Sequence, residues 1–220
     1  MSVVAGNVYD KYRTSNPIAR RLQEGFLAAG RQLLSRVELG RVLEVGCGPG
    51  DLSEALDMDG AHYLGTDLST AEVRHAATAY PHRRFASASI YDLPFDDDQF
   101  DTVICCEVLE HLDDPETGLR EVARVCRQQA LISVPWEPTW RMLNLVRGAY
   151  VRDLGNTPGH LQHFSRGKIR ALVGRHFEIV DSRHPLPWTM VFARVKPSLG
   201  DPARPRSEDT DSKTAALSTP

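Results

Sequence analysis

One stretch constrains this chain more than any other: Val42-Leu43-Glu44-Val45-Gly46-Cys47-Gly48-Pro49-Gly50. Val42, Leu43 and Val45 read as a short buried strand, and that strand runs straight into glycines at alternate positions. Glycine takes a positive φ without a Cβ penalty and lets a ligand come close to the backbone. A buried strand that ends in such a turn belongs to an open α/β sheet, where ligands bind outside the carboxyl ends of the strands. The turn is therefore expected to face a ligand.

The rest of the chain has the rhythm of such a sheet. Pro17 opens a helix, near the position where proline is tolerated, and Ile18, Leu22, Phe26, Ala29 and Leu33 recur along one predicted buried stripe. After Gly40, strands and helices alternate. Strands are expected at Val42–Val45, Tyr63-Leu64, Arg83–Ala86, Thr102–Cys106, 130–134, 176–182 and Trp188–Val195, and helices at 70–79, 115–126 and 166–175. This βαβα order predicts an α/β fold with a parallel sheet covered by helices on both faces. Residues 1–39 read as an N-terminal helical cap and 40–196 as the main domain, interrupted by a substrate-side insertion at about 135–165. Residues 197–220 lack apolar periodicity and read as a disordered tail.

Bulk properties exclude some classes. At 220 residues the chain is long enough for one such domain, and a formal net charge of -3 gives no global attraction to nucleic acid. Cys47, Cys105, Cys106 and Cys126 contain no C-x-x-C pair, which leaves a zinc ribbon unsupported. Cys105 and Cys106 are neighbours in a strand and should point to opposite faces, so all four are expected as reduced thiols of a cytoplasmic protein. The N-terminus lacks the apolar core of a signal peptide, and no run approaches the ~20 apolar residues of a membrane span.

The spacing of the turn bears on its ligand. A dinucleotide turn has the pattern G-x-G-x-x-G, whereas Gly46, Gly48 and Gly50 are spaced G-x-G-x-G and Asp51 follows. Asp51 would place a negative charge at the helix start that a pyrophosphate needs. Glu44 suits a ligand with an ammonium group and no phosphate, and S-adenosylmethionine is one. Asp67, at the end of the next strand, can accept both hydroxyls of a ribose. The alternative for Asp67 is a helix N-cap, a role that Ser69 fills better.

At these residues the sequence resembles the class I methyltransferases, in particular the type 11 group that includes ubiquinone and menaquinone biosynthesis enzymes. The likeness covers about residues 40–135 and weakens toward 195. Glu44-x-Gly46-x-Gly48-x-Gly50, Gly65-Thr66-Asp67-Leu68-Ser69, and Tyr91-Asp92-Leu93-Pro94-Phe95 followed by Phe100-Asp101-Thr102-Val103 match successive motifs of that family. The resemblance implies a doubly wound, mostly parallel seven-stranded sheet (the Rossmann-like methyltransferase fold) with the last strand antiparallel. It implies S-adenosyl-L-methionine as cofactor, held by Glu44, Gly46, Cys47, Gly48, Gly50, Asp67, Leu68, Ser89, Ile90 and Glu107. Ser89 departs from the family, which usually has an aspartate there for the adenine amine. A serine hydroxyl accepts that bond without charge, the Ile90 N–H faces the ring, and Asp92 is an alternative acceptor.

Cys105-Cys106-Glu107-Val108-Leu109-Glu110-His111 begins at the carboxyl end of the fourth strand, where the methyl group lies in this fold. Glu-x-x-Glu-His resembles the metal-binding segment of the ubiquinone-pathway O-methyltransferases and of small-RNA 3′-end methyltransferases. Glu107, Glu110, His111 and His163, with His160 nearby, would on that resemblance hold Mg²⁺ or Mn²⁺ and orient a bound hydroxyl. The other readings are His111 or His163 as a metal-free general base, or a purely structural role for the segment.

Substrate choice is expected in residues 1–36 and 135–165. Met142, Leu145, Val146, Ala149 and Tyr150 share a helical face flanked by Arg141, Arg147 and Arg152, which suits packing on the core or a lid better than a membrane-surface helix. Tyr9, Tyr12 and Arg13 would close over the cofactor. The leading expectation is methylation of a small molecule, with a hydroxyl of an aromatic, polyketide or quinone-like compound first. The alternatives are an RNA 2′-O-methyltransferase, for which Arg166, Lys168, Arg170 and Arg175 supply a small basic cluster, and a cofactor-binding protein without catalysis. The sequence leaves the oligomeric state open.

Overall fold

In a computed structural model of the chain, the structure describes residues 16–58, 61–136 and 161–196. Strands β1 (Arg41–Val45), β2 (His62–Asp67), β3 (Arg84–Ser87), β4 (Phe100–Cys106), β5 (Cys126–Pro135), β6 (Phe177–Arg183) and β7 (Trp188–Val195) form one sheet in the order β3-β2-β1-β4-β5-β7-β6. The first five strands pair in parallel, and β7 lies antiparallel between β5 and β6. The seven-stranded sheet with an antiparallel last strand is the expected one. Its strand order reverses between β1 and β4, and that switch point is where an open α/β sheet leaves a crevice.

Two apolar layers cover the sheet. Helix α1 (Pro17–Leu34) and the short α2 (Asp51–Ala55), with Leu56 just past its end, bury Phe26, Leu33, Leu34, Leu52 and Leu56 against Val42, Ile104, Leu131 and Phe192. On the other face, α4 (Pro115–Val125) and α5 (Arg166–His176) bury Leu119, Val122, Ile169 and Val173 against Leu43, Val103, Ile132 and Val191. Each such side chain contributes about 1.5–3 kcal/mol by leaving water. Helix α3 (Thr70–Ala79) sits beside β2 and β3. Cys105 joins one layer and Cys106 the other, as strand alternation requires, and all four cysteines are free thiols.

The helix starts are set by local side chains. Asn16 Oδ1 accepts the Ile18 N–H at 2.9 Å ahead of α1, and Ser69 and Ser165 accept N–H groups of Glu72 (3.3 Å) and Lys168 (3.2 Å) at α3 and α5. Ile18 departs from its expected stripe: it is 69% exposed, because the packed side of α1 begins at Leu22 and the first turn projects beyond it. Strand β5 is longer than expected and starts directly where α4 ends, at Cys126. Most of the 135–165 insertion, the 1–15 segment and the 197–220 tail lie outside the described residues. Among those described, no helix is long and apolar enough to cross a membrane.

Candidate functional site

The carboxyl ends of β1, β2, β3 and β4 carry most of the expected site residues. At the end of β1 the chain turns on Gly46, Gly48 and Gly50, with φ of 75°, 51° and 87°. The three glycines serve different purposes. A Cβ on Gly46 would come within 2.3 Å of Val108 Cγ2, so this glycine lets the loop after β4 close against the loop after β1. A Cβ on Gly50 would press on Phe85 and Ala76 at 3.0 and 3.1 Å, which lets α3 and β3 approach. Around Gly48, among the described residues and apart from its own chain neighbours, no atom lies within 4 Å of the added carbon. That left-handed turn borders open space, as a ligand-facing backbone must.

Asp67 holds the turn in place. Its Oδ2 accepts the Gly48 N–H at 2.9 Å, and its Oδ1 accepts the Ser69 N–H at 2.8 Å. The Gly46 and Cys47 N–H groups both donate to the Thr66 carbonyl, at 2.7 and 2.9 Å. Asp67 is thus no helix cap, and Leu68 beside it is an apolar side chain left 53% exposed. The Cys47 thiol is buried, and burial followed by the charge of Glu44 pushes its pKa well up, which makes it a packing group and not a nucleophile.

Glu44 lies behind the turn, 2% exposed, and accepts the Tyr63 hydroxyl at 2.6 Å. Burial pushes its pKa up to about 8, opposed by the Tyr63 bond and reinforced by the charges of Asp67 and Asp51. Tyr63 fits because Gly65, two residues along β2, has no side chain: a Cβ there would stand 2.7 Å from the Tyr63 hydroxyl. Three acids around one glycine turn favour a cationic ligand and disfavour a pyrophosphate.

The adenine end follows β3. Ala88 N–H donates to the Asp67 carbonyl at 3.1 Å, which carries Ser89 and Ile90 alongside the ribose acid. Ser89 Oγ accepts the Tyr91 N–H at 3.2 Å, so one lone pair is used locally and its hydroxyl proton can still be donated outward. The Ile90 side chain is buried against the α4 layer, which leaves its main chain as the part suited to a ligand. Arg124 then pins the Leu93–Asp97 loop. Its guanidinium grips Glu121 at two 2.8 Å contacts and donates to the carbonyls of Phe95 (2.8 Å) and Leu93 (2.9 Å). Asp101, in the last motif, lies at the opposite end of the sheet and accepts the Arg41 N–H at 2.9 Å, so its role is structural.

At the end of β4, Glu107 has a φ of 61°, a left-handed conformation a side chain rarely adopts. Its two oxygens accept the Trp188 indole N–H at 2.6 Å and the Ser133 hydroxyl at 3.2 Å. Glu110, in the short 3-10 turn Leu109–His111, is 1% exposed, and its carbonyl receives the N–H groups of Leu161 (2.8 Å) and Gln162 (3.0 Å). His111 Nε2 lies 3.9 Å from Glu110 Oε1, while His163 is exposed on the returning chain. The expected metal set of Glu107, Glu110, His111 and His163 is not brought together. Glu107 is turned to Trp188 and Ser133, and Glu110 is buried under the chain. Among the described residues, no three His, Cys, Asp or Glu side chains gather as a metal ion requires. His160 lies outside the described residues, as do Tyr9, Tyr12, Arg13, Trp140 and the helical face from Met142 to Tyr150.

Sequence reasoning missed Tyr63, Val108, Arg124 and Trp188 as site-building residues. For Tyr63 a signal exists. Glu44 pairs with Gly65 across β1 and β2, so Tyr63 shares the Glu44 face one step away. The Glu107–Trp188 bond spans 81 positions and has no local signature.

Comparisons with known proteins agree with this geometry. Residues 43–134 match the family model described as a methyltransferase domain. A Mycobacterium tuberculosis (strain ATCC 25618 / H37Rv) protein described as a probable S-adenosylmethionine-dependent methyltransferase is 27% identical over 143 residues, covering 65% of this chain and 50% of that protein. A ubiquinone biosynthesis O-methyltransferase of Alkalilimnicola ehrlichii (strain ATCC BAA-1101 / DSM 17681 / MLHE-1) is 34% identical over 101 residues, covering 44% of this chain and 41% of that one. The chain thus spans half or less of the length of these relatives. The solved structure of magnesium protoporphyrin IX methyltransferase from Synechocystis PCC 6803 with bound SAH shares the fold, with a TM-score of 0.63 at 20% identity, over 83% of this chain and 89% of that one. Matched motifs, strand order and glycine turn converge: residues 43–134 carry a methyltransferase domain, similar to those of S-adenosylmethionine-dependent methyltransferases, on a Rossmann-like methyltransferase fold.

Proposed function

We propose that this protein transfers the methyl group of S-adenosyl-L-methionine to an oxygen of a small-molecule acceptor of the aromatic, polyketide or quinone-like kind. The observation that carries the cofactor half is the open space at Gly48, bounded by Asp67, at the switch point of the sheet. The likeness to a ubiquinone biosynthesis O-methyltransferase supports the acceptor half.

The residues fit the cofactor. Asp67 would take the ribose hydroxyls, and the exposed Leu68 would cover one adenine face. Ser89 and the Ile90 main chain would meet the adenine edge. The backbone of Gly46, Cys47, Gly48 and Gly50 would line the methionine part, with Glu44 toward its ammonium and Glu107 at the methyl end. When bound, the cofactor supplies an already activated methyl group, so the protein's work is alignment and exclusion of water. The close approach of Val108 to Gly46 brings the β4 loop, with Glu107 and His111, to that edge. His111 is the proposed acceptor of the hydroxyl proton, and His163 is the second candidate. Among the described residues no three His, Cys, Asp or Glu side chains gather around one point, and the proposed transfer uses no metal.

The test is calorimetric titration with S-adenosylmethionine, S-adenosylhomocysteine and NAD, followed by transfer of labelled methyl to catechol-type acceptors. Micromolar binding of both adenosyl compounds but not NAD, with label on the acceptor oxygen, is the expected result. Folded protein that binds neither adenosyl compound overturns the proposal. Label on nitrogen or carbon overturns its acceptor half.

A further inference from the structure

Beyond the cofactor crevice, the carboxyl end of β5 carries a feature that the reading above does not use. Trp136 follows β5, donates its N–H to the Pro187 carbonyl at 2.8 Å, and pairs with Phe164 in an isolated bridge. Arg166 lies over its indole, with the guanidinium carbon 4.1 Å from the ring centroid. A guanidinium has five N–H donors. Among the described residues Arg166 has no carboxylate partner, and its buried Nε makes no hydrogen bond.

Its surroundings are positive. Arg166 is the first residue of α5, whose first turn has no acidic side chain, so a fixed cation stands at the positive pole of the helix. That arrangement opposes the helix dipole and, among the described residues, brings no carboxylate pairing in return. Arg170 donates to Ser182 Oγ at 2.5 Å on the next turn. His184, in the turn between β6 and β7, is held below the ordinary imidazole range by burial and then by the charges of Arg166 and Arg170. Asp181, the acid next to Ser182 in β6, is taken up by Arg36 (2.8 Å) and Arg183 (3.1 Å).

This cluster belongs to the reactive edge. Pro187 leads into Trp188, whose indole is bonded to Glu107. Resting on the methyltransferase reading above, we propose that Arg166 stacked on Trp136 receives an anionic oxygen group, carboxylate or phosphate, of a planar methyl acceptor. The flat guanidinium fork offers paired donors to such a group, and Trp136 offers an aromatic wall beside it.

The experiment is calorimetric titration of the full chain with 3,4-dihydroxybenzoate, its neutral isostere 3,4-dihydroxybenzamide, and phenyl phosphate. It is run with and without saturating S-adenosylhomocysteine, on wild type, Arg166→Gln and Arg166→Lys. Wild type is expected to bind an anionic probe about tenfold or more tighter than the benzamide. That preference should fall to near unity in Arg166→Gln and be partly kept in Arg166→Lys, with S-adenosylhomocysteine affinity unchanged in both. Stronger binding of the benzoate or of phenyl phosphate identifies the group. Equal binding of anionic and neutral probes, full discrimination in Arg166→Gln, or no binding of any probe overturns the proposal. Failure of S-adenosylhomocysteine to bind wild type overturns the cofactor reading instead, and the probe ratio measured without it still decides the anion site.

Discussion

The two halves of the sheet's reactive edge are built in different ways. At the ends of β1 and β2 the bonds are short-range in space and simple in pattern. Asp67 holds Gly48 and Ser69, the Thr66 carbonyl holds Gly46 and Cys47, and Ser69 caps α3. At the ends of β4 and β5 the ties reach across the chain. Glu107 meets Trp188, Glu110 receives Leu161 and Gln162, and Trp136 meets Pro187 and Arg166. The first half is fixed by one motif and its neighbouring strand, and it suits a cofactor common to many enzymes. The second is assembled from segments far apart in the sequence, and it suits a particular acceptor.

Asp67→Ala strikes the first half hardest. Removing an acceptor of two backbone N–H groups and two proposed ribose bonds, at about 1.5–3 kcal/mol each for charged bonds, should lower S-adenosylhomocysteine affinity by ~100-fold or more. Titration of the variant checks it, and a loss below tenfold would break the assignment of Asp67 to the ribose. The glycines separate packing from binding. Gly46→Ala should cost about 3 kcal/mol in unfolding free energy, from the left-handed φ and the clash with Val108. Gly48→Ala should cost about 1 kcal/mol, yet weaken the cofactor by ~10-fold or more. Thermal melts and titrations of the pair settle whether the open side of Gly48 is the binding side.

Glu44 gives a proton-linked test. Its folded pKa of about 8 stands above the ordinary 4.5, so the folded state favours the neutral carboxyl. The stability this lends is complete below pH 4.5 and is lost as pH rises through 8, and Glu44→Gln should flatten that slope in denaturant melts. An ammonium group beside Glu44 favours the charged form. Cofactor affinity should therefore rise with pH, by up to about tenfold per unit, and level off near 8; the rise should vanish in Glu44→Gln. The smallest effect belongs to the second half. Trp188→Phe removes the indole donor to Glu107 and should cost about 1–2 kcal/mol of stability while changing S-adenosylhomocysteine affinity less than ~3-fold. A larger change in affinity would erase the distinction between the halves.

What was legible in the sequence follows the same division. The buried strand into Gly46, the acid at Asp67, the cap at Ser69 and the opposed faces of Cys105 and Cys106 each rest on a local pattern, and the structure has them so. Ile18 shows the limit of periodicity, which says which face a residue is on but not how far the partner surface extends. The Glu-x-x-Glu-His segment shows another limit. Spacing placed Glu107, Glu110 and His111 within reach of one another along the chain. The left-handed backbone at Glu107 turns its carboxylate to Trp188 and Ser133, while Glu110 and His111 stay within 3.9 Å of each other.

The bond between Trp188 and Glu107 makes the molecule its own optical reporter. An excited indole shifts electron density from its pyrrole ring to its benzene ring, so a negative charge beside Nε1 moves its emission to longer wavelength. Trp188 is 7% exposed and edge-on to Phe26, 5.1 Å between centroids, which shields it from solvent relaxation. Its colour is therefore governed by a carboxylate at the end of β4, and with Trp136 and Trp140 replaced by Phe, events at that carboxylate can be followed at the pace of a stopped-flow trace.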